Sequence, residues 1–101
     1  MNYTTHCAGV SSYTNWTYYS PISIWMTINT SSCHFNDTPL YFSSILATNL
    51  QMYLTSYNAI YGASKNAYTI YIRSSNGMSG LGMLNDSSIY QWNVSWVGVS
   101  Y

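Results

Sequence analysis

Ile22-Ser23-Ile24-Trp25-Met26-Thr27-Ile28-Asn29 is the stretch on which the fold turns. Ile22, Ile24, Met26 and Ile28 share one face; Ser23, Trp25, Thr27 and Asn29 share the other. Strand side chains alternate with a period of two, so this is a half-buried strand. Outward along the chain the pattern recurs. Over 67–73, Tyr68, Ile70 and Ile72 oppose Thr69, Tyr71 and Arg73. Over 50–55, Leu50, Met52 and Leu54 oppose Gln51, Tyr53 and Thr55. The last strand falls at 89–100, with Tyr90, Trp92, Val94 and Trp96 on one face and Ile89, Gln91, Asn93 and Ser95 on the other. Weaker candidates are 4–10, 14–19, 40–46 and 58–62.

No segment carries a helical stripe. Residues 44–54 come nearest, but Thr48, Asn49 and Thr55 are poor helix formers and the alternation is stronger. Pro21 and Pro39 stand at the mouths of strands, where a missing N–H is tolerated. Asn36-Asp37-Thr38-Pro39 reads as a turn. Residues 76–82 hold three glycines and read as the longest flexible loop. Seven or eight short strands without helices predict one all-β domain over residues 1–101, an antiparallel β-sandwich or barrel-like module. Its expected core is Trp92, Trp96, Ile24, Ile28, Ile70, Ile72, Leu50 and Leu54.

The chain has 101 residues, room for a single domain. Only 4% are charged, against about a quarter in ordinary soluble proteins. Those four are Asp37, Lys65, Arg73 and Asp86. Ser, Thr and Asn, at 17, 10 and 10, take the vacant polar positions, and there are 12 tyrosines. Two basic residues cannot neutralise a run of phosphates, which argues against nucleic acid, and the same deficit argues against anionic membranes. No apolar run is long enough to span a bilayer as a helix. Acid–base catalysis has little to work with, and no Gly-x-Ser-x-Gly elbow is present. The glycines at 77, 80 and 82 lack the spacing and the lysine of a phosphate cradle. The expectation is a non-enzyme without cofactor or metal.

Cys7 and Cys33 are the two cysteines. His6 and His34 beside them complete a Cys2His2 set, but neighbours on a strand point to opposite faces and converge poorly on one ion. One disulfide in an oxidising compartment is the better reading. His6 and His34 are then polar surface or loop residues. Met1 leads straight into Asn2, Tyr3 and Thr4, and a secretory leader is expected to have been removed ahead of it.

Asn-x-Ser/Thr occurs at Asn2, Asn15, Asn29, Asn36, Asn85 and Asn93, about twice the chance expectation, and each is an acceptor signature for N-linked glycan. Asn29 and Asn93 fall on polar strand faces. Pro39 follows the Asn36 sequon closely, and Asn2 sits near the chain start. Tyr18 or Tyr19, with Trp25, Tyr53 and Tyr71, should face outward. Exposed aromatic rings with few charges suit a protein–protein interface and also sugar stacking. Charged side chains ordinarily guard sheet edges, and this chain has few. Self-association through these aromatics follows as an expectation, with the stretch before Cys7 a candidate arm. A head-to-tail contact that does not close builds a filament.

Two resemblances rest on these residues. The run Ile89-Tyr90-Gln91-Trp92-Asn93-Val94-Ser95-Trp96-Val97-Gly98-Val99 resembles the closing strand of H-type lectins. Those are small secreted β-sandwiches that trimerise and bind N-acetylgalactosamine. Their Trp-His pair before that strand is replaced here by Leu84 and Asn85, while their tyrosine falls on Tyr90. The resemblance implies a sugar site at Asn85, Asp86 and Tyr90. A longer ordered set is Cys33, Phe35, Thr38-Pro39, Tyr41-Phe42 and Ser44, then Ala59-Ile60-Tyr61, Tyr68, Ile70-Tyr71-Ile72-Arg73, and Trp92, Val94, Trp96-Val97-Gly98. It is similar to an uncharacterised extracellular module of aquatic organisms, of the kind associated with glycosylated helical fibrils in fresh water. This chain departs from it in having few glycines around 45–58. That resemblance implies a secreted, N-glycosylated, self-assembling filament subunit. The alternative is an oligomeric, lectin-like carbohydrate-binding module.

Overall fold

The computed structural model describes residues 5–100. Seven strands form two antiparallel sheets: β1 (Thr5–Ser11), β2 (Thr17–Ser20), β3 (Ser23–Asn29), β4 (Leu40–Leu46), β5 (Leu54–Thr55), β6 (Ala67–Ser74) and β7 (Asn93–Ser100). The first sheet runs β1-β7-β4 and the second β2-β3-β6-β5. The chain crosses between sheets after β1, β3, β4 and β6. The fold is the sandwich that the alternation predicts.

The core lies between the sheets. Ile24, Met26 and Ile28 of β3 face Ile72, Ile70 and Tyr68 of β6 in register, and all six are fully buried. Tyr41 of β4 and Val94 and Trp96 of β7 close over them from the other sheet. Burying a side chain of this size stabilises by roughly 1.5–3 kcal/mol. Two indoles tie the ends: Trp16 Nε1 donates to the Trp92 carbonyl at 2.8 Å, and Trp92 Nε1 donates to the Asn49 carbonyl at 2.9 Å. Trp16, outside the expected core, is therefore part of it.

The expectations fail where one more contact decides. Ile22 is exposed, because β3 starts at Ser23 and Ile22 sits in the turn after Pro21. The 50–55 alternation is not a continuous strand. Leu50 adopts a left-handed backbone, Gln51–Tyr53 form a 3₁₀ turn, Met52 is exposed, and only Leu54 and Thr55 pair with β6. Residues 58–62 contribute a single bridge from Tyr61 to Thr69. Residues 14–19 divide into a 3₁₀ turn at Tyr13–Asn15 and the start of β2.

The largest correction is a helix, α1 (Gly80–Ile89), where a glycine loop and the start of the last strand were expected. Ser79 caps it, its Oγ accepting from the Gly82 N–H at 3.0 Å. Gly80, Met83 and Ser87 form its buried face, at the i, i+3, i+7 spacing of a helix. A Cβ on Gly80 would press into the Ser20 carbonyl oxygen, so glycine lets the helix touch the β2–β3 turn. Gly80 N–H seals that contact on the Pro21 carbonyl at 2.8 Å. Tyr90 ends the helix, Gln91 takes a left-handed backbone, and β7 starts only at Asn93. Trp92 is buried as expected, but from this turn and not from a strand.

Candidate functional site

The outer face of the four-stranded sheet carries an aromatic cluster. Trp25 on β3 lies opposite Tyr71 on β6. Their rings are near-parallel, 26° apart, with centroids at 6.3 Å. Tyr19 meets Tyr71 edge-on at 4.9 Å, and Tyr61 does so from the other side at 5.0 Å. Three aromatics expected to face outward thus converge on one point, and Tyr61, expected only within a weak strand, joins them. The Tyr61–Thr69 bridge places it there: the two backbones exchange hydrogen bonds at 2.8 Å. Beside the rings is an open depression of about 490 Å³, lined also by Ser20, Ser23, Ser56 and Arg73. Ser56 holds a left-handed backbone with φ 72°. Tyr18 and Tyr53 do not join. Tyr18 lies against the start of α1, and the Tyr53 carbonyl is taken by Ser75 at the β5 edge.

The outer face of the three-stranded sheet is mostly apolar, with Ser44 and Ser95 paired side by side in its middle. Val10 of β1, Val97 and Val99 of β7, and Leu40, Phe42 and Leu46 of β4 point away from the core. Val10, Leu40, Phe42 and Leu46 are each 57–59% exposed. The signal for this face was present in β4, where Leu40, Phe42 and Leu46 alternate with Tyr41, Ser43 and Ile45. Both sets contain apolar residues, so the alternation did not reveal which set was outward.

Cys7 and Cys33 form a disulfide with a Cα–Cα distance of 5.8 Å. It joins β1 of one sheet to the 3₁₀ turn (Ser31–Cys33) that follows β3 of the other. Both sulfurs are consumed by that bond, and His6 and His34 are exposed. Among the sequon asparagines, Asn15, Asn29, Asn36 and Asn85 are exposed. Asn93 is half-buried, and its Oδ1 accepts from the Tyr13 N–H at 2.8 Å. Asn2 and most of the stretch before Cys7 lie outside the described residues. Asn85 and Asp86 stand on α1 and Tyr90 at its C-terminal end, so these three belong to a helix and its cap, not to a loop and strand.

A buried hydroxyl network sits between the sheets. The Tyr41 hydroxyl donates to the Ser64 carbonyl at 2.7 Å and accepts from Thr30 Oγ1 at 2.7 Å. Tyr68 stacks on Tyr41 at 4.4 Å and shares a 2.5 Å hydrogen bond with Ser43. Burial pushes the Tyr68 phenol up to about 12; the Ser43 hydrogen bond opposes that shift and Tyr41 adds to it. Every side-chain polar atom buried among the described residues has a partner. Among the described residues, no helix is long and apolar enough to cross a membrane. No protein-family model matches the chain, and no curated protein matches it.

Proposed function

We propose that the chain is a structural subunit of a secreted, N-glycosylated extracellular filament built from copies of itself. The observation that carries this reading is the three-stranded sheet, mostly apolar on its outer face and bordered by edge strands without Lys, Arg, Asp or Glu. β1 and β4 both run antiparallel to β7, so they point the same way. Neither contains Lys, Arg, Asp, Glu or Pro. Each therefore keeps an unguarded row of backbone donors and acceptors on its far side. Laying β1 of one copy along β4 of the next continues the sheet. The two surfaces differ, so the contact is heterologous, and it builds a filament where the rotation between copies does not close a ring.

The apolar face supplies a lateral contact. Val10, Leu40, Phe42 and Leu46 are each more than half exposed on it, and a specific interface buries on the order of 1,000 Å² or more. The disulfide supports an oxidising compartment. The exposed Asn36 and Asn85 support glycan on the surface; Asn15 and Asn29 stand beside the β1 edge. The test is electron microscopy of the protein from its native source, beside a Val10→Lys/Phe42→Lys variant. Regular filaments with projecting density are expected, and dispersal of the variant. Discrete particles of two to six copies would refute the reading.

A further inference from the structure

We propose that the aromatic depression over β2, β3 and β6 binds a saccharide that carries a carboxylate, such as a uronic acid unit of a polysaccharide. Tyr19 and Tyr61 stand edge-on to Tyr71, and together the three rings wall the depression. Such rings present flat apolar faces to the C–H face of a pyranose, and their hydroxyls stand at the water boundary. Tyr19 and Tyr61 are exposed by 60% and 51%, so their surfaces are open to a ligand, unlike those of Tyr41 and Tyr68.

The polar lining gives the ligand its chemistry. Ser20 and Ser23 hydroxyls bond to one another at 2.6 Å; Ser23 is buried, so half-buried Ser20 is the one that can face a sugar hydroxyl. Ser56 approaches from the opposite side on a left-handed backbone, a conformation that costs energy and clusters at ligand sites. Arg73 is the chain's one arginine, and neither aspartate lines the depression. A guanidinium presents a planar fork that matches a carboxylate with two parallel hydrogen bonds. The volume, about 490 Å³, lies within the range of small-molecule sites. The site is on the sheet opposite the apolar face, so binding and assembly are separable.

The experiment is titration of the protein with methyl β-D-glucuronide, methyl β-D-glucoside and sodium acetate, followed by saturation-transfer NMR and calorimetry. Glucuronide should bind saturably, at least about tenfold tighter than glucoside. Arg73→Gln should erase that preference. Tyr61→Ala should weaken both sugars about tenfold or more with melting unchanged, and Tyr19→Ala serves the same purpose if the first variant does not fold. The proposal is overturned by absence of saturable glucuronide binding, by a preference that survives Arg73→Gln, or by acetate competing as well as glucuronide.

Discussion

Gly80→Ala reverses the usual rule for helices. Alanine ordinarily outranks glycine by up to about 1 kcal/mol, because glycine loses more backbone freedom on folding. Gly80 has an ordinary helical backbone, so an alanine there meets no conformational strain. It meets the β2–β3 turn instead. Its Cβ would overlap the Ser20 carbonyl oxygen and lie 3.1 Å from that of Ser23. Both obstacles are backbone and cannot swing aside, so the helix must move off the sheet. That movement breaks the 2.8 Å bond from Gly80 N–H to the Pro21 carbonyl, worth about 1 kcal/mol. It also opens the seat of Met83, which is fully buried and loses part of the roughly 1.5–3 kcal/mol its burial supplies. The expected net loss is about 2–3 kcal/mol, a fall in Tm on the order of 10–20 °C for a domain of this size. Gly82→Ala is the internal control. Its Cβ would meet only Met78 Cγ and Ser79 Oγ, each at 3.2 Å and each on a side chain. Ser79 Oγ is also the helix cap, so a propensity gain of up to about 1 kcal/mol is offset by any shift of that cap, and stability should stay within about 1 kcal/mol of the parent. Urea denaturation read by tryptophan fluorescence and far-UV circular dichroism measures both. A Gly80→Ala protein as stable as the parent, or indistinguishable from Gly82→Ala, would refute the packing argument.

Three further outcomes are expected. Tyr68 has its phenol raised to about 12, above the usual 10, so the unfolded chain loses that proton first as pH rises. Its contribution is whole below pH 10 and drains between about 10 and 12, by up to roughly 2–3 kcal/mol; denaturation midpoints that fall equally in Tyr68→Phe would refute this. Removing the disulfide by Cys7→Ser/Cys33→Ser opens a loop of 26 residues and should cost about 3–4 kcal/mol on the loop-entropy model, read as a lower urea midpoint. Trp96→Ala should cost roughly 3–5 kcal/mol, since the indole is buried and packs over Gly9; unchanged melting would remove Trp96 from the core.

What the sequence determined by itself was the fold class, because strand alternation is a local property. Ile24, Met26 and Ile28, like Tyr68, Ile70 and Ile72, need no knowledge of their partners to show an inner face. Cysteine arithmetic and the geometry of neighbouring residues on a strand were enough for the Cys7–Cys33 bond. Tertiary structure decided the rest. Helix α1 has two glycines, an asparagine, an aspartate and two serines among ten residues, so its propensity is poor. It exists because Gly80 lets it touch the Ser20 carbonyl, 60 residues away in the chain, and because Met83 finds a buried seat. The same holds for the surfaces. Tyr19 lies 52 residues from Tyr71, and Tyr61 ten, and the three meet only through β-pairing. In β4 both faces carry apolar residues, so which of them faced water was settled by the arrival of the second sheet over Tyr41, Ser43 and Ile45.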